Sequence, residues 1–259
     1  MILLWAFAAA AAILVPTWIV SVPKRDASLA DIAWGLAFVA IAAVFLWRFP
    51  TGGARQLLLS GLVALWALRL SAYLAWRNHG KPEDNRYAAM RAKAPSTFPY
   101  VSLVTVFLLQ AALATLIALP ILGVARPASR LGPLDILGVA LFTFGFLVEL
   151  TADAQLARFK SDAANRGKVM DRGLWSRSRH PNYFGEAVLW WGLGLIACAA
   201  GATWALCGPA LLTFLLLRVS GVTLMEKTIT ERRPEYAAYV RRVPAFLPTL
   251  KAPRSPGPG

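Results

Sequence analysis

Cysteine and histidine are nearly absent from this chain, whose 259 residues contain two of each. Cys198 and Cys207 both lie in apolar sequence, so neither a disulfide framework nor a cysteine-based zinc site is implied. His79 and His180 are too few for a histidine-rich metal centre, and no metal is expected. Acidic residues are scarce as well: 13 Asp and Glu stand against 27 Lys and Arg, a formal net charge of +14. The chain has no G-x-G-x-x-G turn after a strand and no G-x-x-x-x-G-K-[ST] loop, so a dinucleotide would have to bind without a Rossmann domain. A sustained alternation of apolar and polar residues is also missing, which excludes a membrane-spanning barrel. No internal repeat occurs, and no polar segment is long enough for a separate soluble domain.

What the chain has is apolar sequence. Hydrophobic residues make up 58% and mean hydropathy is +0.55, where soluble domains run nearer half apolar. The apolar residues fall in blocks of about 20, the length of a helix that crosses a bilayer. The expected fold is therefore an all-α integral membrane protein of seven transmembrane helices. The spans are read at roughly 2–22, 29–49, 56–76, 99–120, 133–152, 184–200 and 202–223. The first has no basic start and no small-residue cleavage site before "PKRD", so it is kept as a span and not a signal peptide. Residues 1–249 are read as one domain and 250–259, "KAPRSPGPG" from Lys251 on, as a disordered tail.

Charge gives a direction. The segments 77–97, 153–183 and 224–259 hold five, seven and seven basic residues, and "PKRDAS" holds two. With seven spans all four fall on one side, expected to be cytoplasmic, with the N-terminus outside and the C-terminus inside. The expected location is a bacterial-type inner membrane. These charges sit between spans, which disfavours nucleic acid as a partner; membrane lipids are expected neighbours, and no obligate protein partner is evident.

Several polar groups need more than a loop to explain them. Asp31 opens span two in "SLADIAWGLAF". It is either a helix-start acid favoured by the macrodipole, with Ser28 capping the turn, or an acid facing an internal cavity. Arg69 and Tyr73, four residues apart, share a helix face. They either pair with Asp31 or serve as a snorkelling cation and an interfacial anchor. The loop "RNHGKPEDNRYAAMR" gathers Asn78, His79, Asp84, Arg86 and Tyr87 within ten residues, a set suited to a nucleotide or a substrate head. Glu149 and Asp153 share a face near the end of span five, followed by Arg158 and Lys160.

The segment "RGKVMDRGLWSRSRHPNYFGE" is denser still. Arg166, Lys168, Arg172, Arg177 and Arg179 place five cations within fourteen residues. Arg forks match phosphate oxygens, and Lys acts as a point charge. Pro181 suits the first turn of a helix whose N-terminus favours an anion, and Asn182, Tyr183 and Glu186 supply neutral donors and an acceptor. After span seven, Arg218 and Glu226 share a face, and "RRPEYAAYVRR" reads as an interfacial amphipathic helix.

"LWSRSRHPNYFGEAVLWWG" resembles the C-terminal signature of the steroid 5-alpha-reductase family and its bacterial relatives. "ADAQLARFK" upstream and "PEYAAYVRRVPAFLP" downstream extend the resemblance over roughly residues 145–248. It implies a seven-span enzyme that uses NADPH, bound by cytoplasmic loops, to reduce the C=C bond of an apolar enone such as a 3-oxo-Δ4 steroid. Carried over, it implies cofactor contacts at Asn78, Asp153, Lys160, Lys168, Arg172, Arg179, His180, Asn182, Tyr183, Glu186, Glu226 and Tyr236. The family's span-two acid and its phenol bind the substrate carbonyl; here the span offers Asp31, and Tyr73 or Tyr87 stands in for the phenol. The substrate is expected to enter sideways from the bilayer. Membrane isoprenylcysteine and phospholipid methyltransferases, which use S-adenosylmethionine, resemble the same half through an "RHP-x-Y-x-G" element, and they stand as the alternative. Clustered cations favour NADPH, because S-adenosylmethionine carries no phosphate.

Overall fold

A computed structural model describes residues 1–50, 53–125, 130–219 and 234–249, with the side chains of Pro234 and Glu235 left aside. Among the described residues every regular element is a helix. They are α1 (Ile2–Lys24), α2 (Leu29–Arg48), α3 (Ala54–Asn78), α4 (Asn85–Lys93), α5 (Phe98–Ile117), α6 (Leu119–Gly123), α7 (Pro133–Ser161), α8 (Pro181–Ala199), α9 (Thr203–Val219) and α10 (Pro234–Arg242). Five of them, α1, α2, α3, α5 and α7, are long and apolar enough to cross a membrane. The 19-residue α8 and the 17-residue α9 are shorter.

The chain divides into two compact units. The first comprises Met1–Asp135 and Gly194–Gly208. In it α2 packs between α1 and α3, and α5 packs on α1. Small residues allow this: Ala6, Ala9 and Ala10 of α1 and Ala33 and Ala37 of α2 are buried. At Gly35 a β-carbon would stand 2.4 Å from Ser71 Oγ and 2.5 Å from the Ala67 carbonyl oxygen, so only glycine permits this approach of α2 to α3. Phe38 fills the seam between, edge-on to Trp34 and Trp66. The starts of α3 and α7 are joined by a buried ion pair. Arg55 donates through Nε and Nη2 to the two carboxylate oxygens of Asp135 at 2.7 and 2.8 Å, and through Nη2 to the Arg130 carbonyl at 2.9 Å. Arg55 is thus an internal staple, whereas its position in the sequence reads only as a turn flank.

The second unit comprises Ile136–Leu193 and Pro209–Gly259. Here α7 and α8 run antiparallel at backbone contact. A β-carbon on Gly185 would meet the Gly145 carbonyl oxygen and the Glu149 nitrogen at 2.6 Å, and one on Gly192 would meet the Gly138 carbonyl oxygen at 2.5 Å. Glycines seven residues apart on each helix keep this seam closed over two turns. The loop after α7 folds back on it. Trp175 Nε1 donates to the Ala152 carbonyl, and Leu174 N–H donates to Gln155 Oε1. α10 then packs Tyr236, Tyr239 and Val243 into a small core with Val169.

Two boundaries differ from those read in sequence. α7 runs on to Ser161, past the 152 expected, because "ADAQLARFK" is rich in helix formers and the fading of apolar residues ends a span, not a helix. The fourth span ends its regular helix at Ile117 after a wide turn over Leu103–Leu108, and a break at Ala118 precedes α6.

Candidate functional site

Two groups of polar side chains stand out, one in each unit. In the first unit, α4 follows a tight turn at Gly80 (φ +68°) and is capped by Asp84, whose carboxylate accepts from the Arg86 N–H at 2.9 Å. Ser28, expected to cap α2, makes no such cap. Its Oγ accepts instead from the Asp84 N–H at 2.7 Å. Glu83 takes the Ala27 N–H at 2.7 Å and a two-pronged contact from Arg91 at 2.7 and 2.9 Å. These bonds seat α4 on the start of α2 and deliver Arg86 and Tyr87 to Asp31.

Asp31 accepts from the Tyr87 hydroxyl on one oxygen and from Arg86 Nη2 on the other, both at 2.6 Å. The phenol has a single proton and spends it on Asp31. Gln110 of α5, 3.3 Å away, must therefore present its Nε2 to the phenol oxygen. That leaves the buried Oε1 of Gln110 without a hydrogen-bond partner among the described residues. Burial, and then the facing Asp31 carboxylate, push the Tyr87 phenol well above its ordinary range, so it stays protonated at neutral pH. Burial works against the Arg86 guanidinium, but Asp31 and Asp84 hold its pKa above the usual value. The cluster is a protonated phenol on a charged carboxylate, a pair able to stabilise negative charge forming on a ligand oxygen.

The structure gathers Asp31 and Tyr87, while Tyr73 lies beside Trp76 on α3 with Arg77 over its ring. Asn78 ends α3 and accepts from Arg77 Nε at 3.1 Å.

In the second unit, the α7–α8 seam buries Glu149, Asp153 and Glu186, which are 2%, 5% and 9% exposed. Asn182 Nδ2 lies 3.4 Å from Asp153 Oδ1, and Asn182 Oδ1 is buried with no hydrogen-bond partner among the described residues. His180 is buried and stacks flat on Tyr183, ring centroids 5.4 Å apart. Arg179 is placed differently from a phosphate ligand. It is buried, and its Nη1 donates to the Val240 and Val243 carbonyls at 3.0 and 2.6 Å, capping the end of α10. Tyr236 is buried in the α10 core. Lys160 is exposed on α7. Lys168 and Arg172 line a cleft of about 360 Å³ together with Tyr239 and Arg242. Glu226 lies outside the described residues. Sequence reasoning missed Gln110, Tyr239 and Arg242 as site residues. Gln110 carried a signal, being an amide within an apolar span.

This is the architecture of an all-helical protein with membrane-length helices and two polar clusters, each held by a loop that folds back on helix ends. The chain belongs to the family described as protein of unknown function (DUF1295), which it matches over residues 17–243. It is also 28% identical, over 90% of its length, to the uncharacterised protein C594.04c of Schizosaccharomyces pombe, 76% of which the match covers.

Proposed function

We propose that the protein is a membrane-embedded reductase that uses NADPH to saturate the C=C bond of an apolar enone, a 3-oxo-Δ4 steroid or a related lipid. The observation that carries the reading is the Tyr87–Asp31 hydrogen bond, 2.6 Å long and backed by Arg86 and Gln110. When bound, NADPH supplies a hydride to the β-carbon of such an enone. Negative charge then collects on the carbonyl oxygen. Tyr87 donates a hydrogen bond to that oxygen, Asp31 with Arg86 sets its direction and strength, and a proton taken from solvent at the α-carbon completes the saturated ketone. Gln110 holds the phenol while it turns from one acceptor to the other. The residues of the second unit fit a nicotinamide nucleotide: Asn182 Oδ1 is an unmatched acceptor suited to a carboxamide N–H, and Lys160, Lys168 and Arg172 are cations suited to phosphates. In this reading α8 and α9 are spans six and seven, the N-terminus is outside, and the substrate arrives from the lipid.

A second reading rests on one observation. Glu149, Asp153 and Glu186 bury three carboxylates along one seam, surroundings that favour a cationic cofactor such as S-adenosylmethionine over an anionic one. Thermal unfolding of the detergent-purified protein with NADPH, NADH and S-adenosylmethionine separates the two. A ligand that binds only the folded state, present at 100 times its Kd, adds about 2.7 kcal/mol of stability. The reductase reading expects selective stabilisation by NADPH, lost in Asn182→Ala, followed by NADPH oxidation in a screen of enones. Stabilisation by S-adenosylmethionine alone overturns it.

A further inference from the structure

The polar cluster of the first unit has more acceptors than donors. Gln110 lies on the inward face of α5, among the buried Val106, Phe107, Ala111 and Ala114. An amide in that company costs stability unless it is hydrogen-bonded. It stands two residues past the wide turn Leu103–Leu108, and wide turns inside α-helices fall frequently at functional sites. Because the one phenol proton goes to Asp31, Nε2 of the amide serves the Tyr87 oxygen at 3.3 Å, and Oε1 is left buried with no hydrogen-bond partner among the described residues. The nitrogen and oxygen of one amide are about 2.2 Å apart, so the empty acceptor is within about 5.5 Å of the phenol oxygen. A bare ketone makes the imbalance worse. When the Tyr87 hydroxyl turns to a ketone oxygen, Asp31 Oδ1 loses the donor it has now, and Gln110 Oε1 gains none. A buried acceptor left unmet weighs against binding as a lost contact does.

We infer that Gln110 reads a hydrogen-bond donor carried by the substrate, so that the site takes a carbonyl compound with a hydroxyl or an N–H beside its carbonyl in preference to the bare ketone. The carbonyl oxygen accepts from Tyr87, and the donor on the adjacent atom reaches Gln110 Oε1. Two sources offer this chemistry: the hydroxyl of an α-hydroxyketone and the N–H of a carboxamide. The donor is not consumed; hydride and proton go to the carbons of the C=C bond, and the hydroxyl or amide leaves with the product. Placing the carbonyl on Tyr87 rests on the reductase reading, whereas the donor preference is a property of binding and is measured without turnover.

The test is equilibrium binding to the full chain in detergent, with straight-chain probes of equal length. They are an α,β-unsaturated ketone, the same ketone with a hydroxyl on the saturated carbon beside the carbonyl, the methyl ether of that hydroxyl, and the α,β-unsaturated primary amide. The hydroxyketone is expected to bind at least about tenfold more tightly than the ketone or the methyl ether, the effect of satisfying one buried acceptor. In Gln110→Leu and Gln110→Met the three ketones should bind alike. Without ligand, both variants should unfold no lower than the parent, since each removes an unmet acceptor from an apolar face. A lower midpoint with the hydroxyl preference intact would show that the amide serves the fold alone, and overturns the inference. Tighter binding of the amide than of the hydroxyketone, lost in both variants, keeps the site and makes a carboxamide its occupant. Equal binding of hydroxyketone, methyl ether and ketone to the parent overturns the inference and leaves the reductase standing. A hydroxyl preference that depends on Gln110, with no probe reduced by NADPH, keeps the donor site and removes the reductase. Failure of every probe to bind removes both.

Discussion

Tyr87 has one proton and two neighbours, and the choice it makes between them defines what the cluster can do. Because the phenol donates its proton to Asp31, removing the hydroxyl leaves a carboxylate still held by Arg86 and takes away the donor of the proposed carbonyl clamp. Tyr87→Phe is therefore expected to cut turnover of any enone substrate by about 10²–10³-fold, the cost of losing a charge-stabilising donor. NADPH should stabilise the variant against heat as it does the parent. An equal loss of both would show that the phenol supports the fold and not the reaction. Arg55 and Asp135 make the contrasting case, a pair with no chemistry to perform. Its side chains are 3% exposed, and Asp135→Asn leaves a buried guanidinium without its counter-charge. A loss of about 3 kcal/mol is expected, the low end for breaking a buried pair, measured as a lower midpoint of thermal unfolding in detergent. The two cases differ in how far they could be read from the chain. Asp31 and Tyr87 were legible as candidates because an acid and a phenol in apolar or loop sequence are conspicuous. Arg55–Asp135 was not, since its partners are 80 residues apart and each alone resembles an ordinary helix-start charge.

At the scale of elements, the loop that carries Tyr87 is held by carboxylates, and this gives it a pH dependence. Burial raises the Glu83 pKa, but the Arg91 hydrogen bonds and the Ala27 N–H outweigh it and hold the group below its ordinary value near 4.5. A carboxyl whose folded pKa is depressed contributes stability that is present above its unfolded pKa and lost as pH falls through the folded one. The seating of α4 on α2 is thus expected to be complete at neutral pH, to start weakening as pH falls below the ordinary value near 4.5, and to be lost once pH passes the lower folded pKa. Amide hydrogen exchange of the segment 80–93, compared across pH 3–7 after correction for the intrinsic exchange rate, reads this directly; Glu83→Gln should show the loosened state already at pH 7. The α7–α8 seam fails in another way. Gly185→Leu puts a branched side chain where a β-carbon already meets backbone at 2.6 Å. Overpacking of about 1–3 kcal/mol is expected, seen as a lower unfolding midpoint together with loss of cofactor stabilisation, because Asn182 and Glu186 sit one turn or less away. Apolar block length placed most helix starts and ends within a few residues. Which faces meet could not be read, because the glycines that set the approach have no side chain to betray a partner.

For the whole molecule, charge and length have to agree on one topology. Five helices meet the length and hydropathy expected of a span. α8 falls short because Pro181, Asn182, Tyr183 and Glu186 dilute its first turns, and the last three of these are residues expected to hold cofactor. α9 falls short in length alone, with 17 described residues. Counting both gives seven spans and puts all the basic-rich segments on one side, as counting neither also does; counting only one splits the segment after residue 224 from the rest. The chain's lack of cysteine makes this testable without a reporter fusion. With Cys198 and Cys207 replaced by serine, a single cysteine at Gly53 should react with a membrane-impermeant maleimide added outside intact cells. One at Lys81 and one at Arg177 should react only after the membrane is opened. The Lys81 result checks the first three spans, and the Arg177 result checks the count through α7. The last two spans need two further positions, Gly201 between α8 and α9 and Pro244 after them: labelling from outside at Gly201 with protection at Pro244 requires that both helices cross, protection at both positions would mean that neither does, and labelling from outside at Pro244 would mean that only one does.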